Sequence, residues 1–435
     1  MFCDERILVE QGKAFRATMI LAWFISLIYG LLHTLSMFAN GTFYAPALVH
    51  EAISIISGLV LFLYGEIKHH ASTKDEMVAY KKNNYYKKIF YWYLGIILFA
   101  FCLQISLGSR YEWFPPNHFL LTLQIPCWLL LLTYFKFNGV PFNYSYLAED
   151  KPTYIRRTFA NVAKLAKIIA LATLAGIVVL IVLRASISEF VAVLAAGIIS
   201  WISLSIEYLI ISWAERVSDH ANENNRISSA TLIFVFIGAI IYIISLGVGS
   251  YMVWDDGSNI TNGTILMIGS ALNKYLGCLS KYFFGLFAVY LYSEMKHIKS
   301  RLFDTATIIL MGLVIFEFIL EPLSQVLHYM VGNMATEIGM TAVHVHAVID
   351  YLILVTQSIV LAAAIIAIIQ AKKVKRAAFI YPAVIVLSSV CVHLWAMQSN
   401  TGHLVENVVF SILAIWLCVI IISAYRRGKR HPKIM

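Results

Sequence analysis

The chain has 435 residues, of which 60% are hydrophobic and 13% charged, with a mean hydropathy of +0.77. Soluble globular domains carry about 25% charged residues, and disordered chains combine low hydrophobicity with high charge; both classes are excluded. The formal net charge of +9 gives no reason to expect a nucleic-acid partner, because the basic residues lie in short clusters between apolar runs.

The chain is polar as far as Arg16 and then enters an apolar run with no small-residue cleavage site, which reads as an uncleaved first span rather than a signal peptide. The segment Asp4 to Arg16 is expected to form a short amphipathic helix on the membrane surface. A bilayer core about 30 Å thick needs about 20 apolar helical residues. Runs of that kind fall near 14–37, 46–66, 89–107, 118–136, 166–183, 189–212, 229–251, 264–292, 304–329, 339–371, 377–397 and 405–424. The fold expected is therefore all-α: a polytopic membrane protein of about twelve transmembrane helices, arranged as six hairpins. The run 339–371 is too long for a perpendicular span, so its start is expected to be re-entrant, tilted or outside the lipid.

With the N-terminus inside, the inner segments hold 29 of the 33 Lys and Arg residues, and the outer loops only Arg110 and Arg184. The positive-inside rule then places both termini in the cytoplasm and the protein in the plasma membrane. The Lys- and Tyr-rich segment Lys68 to Lys88 reads as a basic strap on anionic headgroups at the inner surface. Six scattered cysteines without a CxxC suggest neither a disulfide framework nor a zinc ribbon.

The polar residues inside the apolar runs repeat. His33 and His328 end spans 1 and 9; His50 and His344 open spans 2 and 10; His118 and His403 open spans 4 and 12, each pair about 290 residues apart. Three four-helix units fit this spacing, at 1–145, 146–295 and 296–435. The middle unit departs from the pattern, having Glu189 and Ser200 near the corresponding places.

Ionisable residues within spans are functional candidates by default. His50, Glu51, His344, His346, His403 and Glu406 begin inward-going spans and fall in the outer half of the bilayer. Glu317, Glu321 and Asp350 lie deeper, and Lys281 is near the middle of span 8. His346 and Asp350 share a helix face, as do Glu317 and Glu321, and His403 and Glu406. Pro322 after the Glu pair is expected to kink its helix. No single helix makes a complete site; a cluster would have to form between the first and third units.

Imidazole is the commonest transition-metal ligand and a frequent haem ligand, and nearby carboxylates fix its tautomer. Neutral His and protonatable carboxylates at several depths equally make a proton relay. Twelve spans with an inward N-terminus, a His opening span 2 and the His344-Val-His346 motif opening span 10 resemble the catalytic subunit of the haem–copper oxidases. That resemblance implies haem held between His50 and His346, with His344 a ligand candidate for a second haem, and likens Lys281 to the family's proton-channel lysine. It does not extend to the copper site, whose histidines on spans 6 and 7 are absent here, so oxygen reduction is not implied.

Two functions follow as expectations. The first is an outer-side site binding haem or a transition metal for a redox, sensing or small-molecule role. His50 and His346 are its ligands, His344 and His403 the further candidates, and Glu51, Asp350 and Glu406 the partners of the imidazoles. The second is a proton-coupled transporter of a small solute, with Glu317, Glu321 and Asp350 carrying the proton, Lys281 as counter-ion and Pro322 as hinge. A membrane-embedded transferase is a third class, though the short outer loops give a large substrate little to grip.

Overall fold

The computed structural model describes residues 5–39, 48–68, 76–108, 116–140, 151–182, 184, 187–222, 227–254, 263–295, 380–396 and 400–430, with scattered positions between 301 and 366. Among these residues the structure is helical and contains no strand. Ten long helices are present: α1 (Glu5–Ala39), α2 (Val49–Lys68), α3 (Glu76–Gly108), α4 (Pro116–Phe137), α5 (Lys151–Val182), α6 (Ile187–Asn222), α7 (Ser229–Trp254), α8 (Gly263–Met295), α9 (Ile380–Ala396) and α10 (Asn400–Arg430). Each covers one expected apolar run. The expected spans at 304–329 and 339–371 lie outside the described residues, apart from isolated positions.

Six of the helices are long and apolar enough to cross a membrane. Their surfaces agree with lipid contact. On α2 the outward face carries Ile56, Leu59, Val60, Leu63 and Ile67, each 43–76% exposed, while its buried residues are His50, Glu51, Ser54, Gly58 and Gly65. Water-soluble monomers rarely expose apolar patches this continuous. Here the polar and small groups are inside and the aliphatic ones outside.

Several helices overrun their apolar runs at the basic end. α1 begins at Glu5, α3 at Glu76 and α5 at Lys151, and α6 continues to Asn222. The expected short surface helix at Asp4 to Arg16 is corrected accordingly: Glu5 to Arg16 are the first turns of α1. Their packing explains why. Gln11, Gly12, Ala14 and Phe15 are buried, and a Cβ on Gly12 would overlap the Cβ of Asn83 in α3. Likewise, residues 76–88 of the expected strap continue α3, with Asn83 and Tyr86 buried and Lys81 and Lys88 exposed.

Two compact units divide the chain near Glu215. In the first, α1 packs on α2, α3 and α4, and α3 also packs on α5. Small residues recur every fourth position along α1, at Ala14, Thr18, Ala22, Ser26 and Gly30, all buried. Such stripes let helix backbones approach closely in a membrane. The Thr18 and Ser26 hydroxyls donate to the carbonyls of Ala14 and Ala22 at 2.9 and 3.0 Å, which keeps them satisfied away from water. Aromatic donors from both sides grip α2. The Trp23 indole donates to the Ile55 carbonyl at 3.0 Å, and the hydroxyls of Tyr93 and Tyr85 donate to those of Ser54 and Leu61 at 3.0 and 2.9 Å.

In the second unit α7 packs on α8 and α10, and α9 on α10. On α8, from Tyr282 to Tyr292, nearly every side chain is buried, as expected of a helix stretch that is apolar all round. The Phe234 ring meets those of Phe283 and Tyr290 at centroid distances of 6.2 and 5.5 Å. The three-part polar repeat in the sequence and these two packing units are different divisions: one follows offsets along the chain, the other contacts.

Candidate functional site: a polar track in the second unit

The second unit carries a polar track at the end away from the N-terminus of α7. Ser245 lies 16 residues into α7, roughly 24 Å along its axis. Its hydroxyl donates to Oδ1 of Asn273 on α8 at 2.8 Å. One turn further, the Ser250 hydroxyl accepts from the Asn407 amide of α10 at 2.7 Å and itself donates to the Leu246 carbonyl at 2.8 Å. One residue before Asn407, Glu406 stands 3.5 Å from Nδ1 of His403. The shared face expected for His403 and Glu406 is therefore realised. The Glu406 side chain is 12% exposed and that of His403 44%, so the imidazole is the outer member and the carboxylate the inner one.

Gly249 on α7 faces Asn273, and a Cβ there would meet its Nδ2 at 3.5 Å, an ordinary contact distance. The track thus consists of three polar pairs, with an imidazole, a carboxylate, two amides and two hydroxyls on three helices. Chemically this set can accept and release protons at one end and exchange hydrogen bonds with a neutral solute or weakly bound ion along its length. Among the described residues no group of three or more His, Cys, Asp and Glu could hold a metal ion.

In the first unit His50 and Glu51 occupy the first turn of α2 and are 3% and 8% exposed. Glu51 suits a helix N-terminus, where the exposed backbone N–H groups favour negative charge. It packs against Gly30 of α1, where a Cβ would lie 3.3 Å from that of Glu51. Lys281 is half-buried on α8. Glu317, Glu321, Pro322, His328, His344, His346 and Asp350 lie outside the described residues. His33, His118 and His393 fall on α1, α4 and α9, with their side chains undescribed.

The structure adds charged groups that the sequence reading passed over. At the basic end of the first unit Glu66 of α2 accepts from Arg16 at 2.8 Å, Lys82 at 2.6 Å and the Tyr86 hydroxyl at 2.8 Å. Burial, and then the Glu66 carboxylate it donates to, raise the Tyr86 pKa. Lys136 of α4 and Glu215 of α6 form a buried ion pair at 3.4 Å, with side chains 6% and 0% exposed. In the second unit the buried Glu294 carboxylate accepts from the Ser228 backbone N–H at 2.9 Å and the Thr231 hydroxyl at 2.8 Å, at the start of α7. Glu207 of α6 is also buried. A sequence reading centred on the histidines and the carboxylates near them overlooks these. Glu207 inside the run 189–212, Asn273 inside 264–292 and Asn407 inside 405–424 were each visible as polar residues in apolar sequence. Compared with protein-family models, curated proteins and solved structures, the chain matches none.

Proposed function

We propose that this membrane protein moves a small polar solute together with protons, through the polar track of the second unit. The observation that carries this reading is the succession of polar pairs His403–Glu406, Asn407–Ser250 and Ser245–Asn273 within helices that are largely apolar in sequence. Polar and ionisable groups within a membrane are costly and mark solute and proton pathways. Glu406 is the proton acceptor nearest the helix end, and His403 is its partner. The sequence adds Glu317, Glu321 and Asp350 as further proton carriers and Lys281 as their counter-ion. The charge asymmetry of the chain supports twelve spans, with the basic end and both termini in the cytoplasm of a plasma-membrane protein.

The test is solute-dependent proton uptake by proteoliposomes containing an internal pH dye, run against a panel of monocarboxylates, amino acids, amines and sugars. The wild-type chain should acidify the lumen with one class of solute, and Glu406→Gln should lower that rate at least about tenfold, within the range of general acid–base contributions. Failure of every solute, or full activity in Glu406→Gln, overturns the proposal.

A second reading, haem or transition-metal binding by His50 with His346, His344 and His403, is favoured by one observation: the His50 imidazole is withdrawn into the packed face of α2. The fit is partial, since the described residues around it supply one imidazole and the adjacent Glu51 carboxylate. Protein purified after growth with ample haem should show a Soret band that disappears in His50→Ala. A colourless, metal-free preparation removes this reading and leaves the transport proposal standing.

A further inference from the structure

The exposed face of α5 changes character along its length. At 100° per residue, Arg156, Ala160, Ala163, Lys164 and Lys167 fall on one stripe, and all five are exposed. The same stripe continues through Leu171, Leu174, Val178 and Ile181, which are 52–62% exposed. Only 22% of this helix's apolar window is buried, against 61% for α8. The stripe therefore faces the surroundings of the protein and presents three cations followed by an aliphatic ridge.

Among the described residues, Arg156, Lys164 and Lys167 form no ion pair or hydrogen bond, which separates them from Arg16, Lys82 and Lys136, whose charges are met by Glu66 and Glu215. Ala160 and Ala163 between them leave a shallow strip with no bulky side chain. The rise from Arg156 to Lys167 is about 16 Å, which exceeds one headgroup layer of a bilayer. Lys164 and Lys167 stand at the lip of the apolar run, where long basic side chains extend back toward the phosphates, and Arg156 reaches past them toward water.

We propose that this stripe is a binding site for a single anionic phospholipid, its phosphate held by Lys164 and Lys167, its distal headgroup facing Arg156, and an acyl chain lying along Leu171, Leu174 and Val178. The occupant is fixed by complementarity: cations without protein partners at headgroup depth, collinear with a lipid-exposed aliphatic ridge. A generic basic rim would instead attract anionic lipid wherever Lys and Arg are exposed. Lys81 and Lys88 on α3 are exposed and basic too and provide the comparison.

Native mass spectrometry of the full chain, delipidated in mild detergent and given equal phosphatidylglycerol and phosphatidylcholine of matched chains, reads the site directly. The wild-type chain should retain one phosphatidylglycerol in preference to phosphatidylcholine. The variant Arg156→Gln/Lys164→Gln/Lys167→Gln should lose that preference, with apparent affinity falling roughly a hundredfold for three charges. Lys81→Gln/Lys88→Gln should keep it. Single substitutions Lys164→Gln and Lys167→Gln, at exposed positions that leave packing intact, should each produce a partial loss. No headgroup preference in the wild type, its survival in the triple variant, or equal loss in the α3 control each overturns the proposal.

Discussion

Gly58 of α2 leaves little room for a side chain: a Cβ there would stand 2.7 Å from both Trp23 Cδ1 and the Tyr93 hydroxyl. Gly58→Ala should therefore destabilise the protein by about 1–3 kcal/mol, the usual cost of overpacking, read as a lowered thermal midpoint in detergent. Gly247 on α7 is the matched control, because nothing lies within 4 Å of its Cβ position. There the same substitution removes only the flexibility of glycine, and Gly247→Ala should be neutral or stabilising by about 0.5–1 kcal/mol. Equal effects at the two positions would contradict the packing described for α2. Neither outcome can be read from the sequence, where both glycines appear as small residues in apolar runs; what separates them is the aromatic pair from α1 and α3 that closes on one of them.

At the scale of the helix, the apolar runs located every described span, because twenty consecutive apolar residues have few other uses. The helix ends were not legible in the same way. The polar first turns of α1, α3 and α5 look like connections in the sequence, yet Phe15, Asn83, Tyr86 and Thr158 are buried there and carry the helix past the apolar core. Hydropathy reports only what touches lipid and says nothing of helix packed on helix beyond it. The candidate site was half legible. His403 and Glu406 are three residues apart and helical spacing alone puts them on one face, but the pairing of Asn407 with Ser250 and of Ser245 with Asn273 depends on which helices are adjacent. The inside-out character of α2 yields a further expectation. Val60 is 57% exposed, so Val60→Asp would be harmless in water but should cost about 2.5–3.5 kcal/mol in a bilayer. A reduced membrane-inserted fraction on carbonate extraction is the expected result, and full insertion would argue against lipid contact for this face.

For the whole molecule the informative quantity is where charge falls. Within the first unit the basic ends of α1, α2 and α3 meet at Glu66, and those of α4 and α6 meet at Lys136 and Glu215. Exposed positions at the two ends should therefore be reachable from opposite sides of the membrane. In intact cells a membrane-impermeant maleimide should label Ile187→Cys, 84% exposed at the start of α6, while Lys81→Cys should react only after lysis. Labelling of both in intact cells, or the reverse pattern, would invert or abolish the assigned topology.

The aromatic grip on α2 limits how the first unit can move. Sliding α2 by one residue would shift it about 1.5 Å and turn it about 100°. Trp23, Tyr93 and Tyr85 would lose the carbonyls of Ile55, Ser54 and Leu61 together. Piston or screw motions of α2 therefore cost the three bonds at once, about 0.5–1.5 kcal/mol each. A displacement of α2 that keeps all three bonds carries α1 and α3 with it.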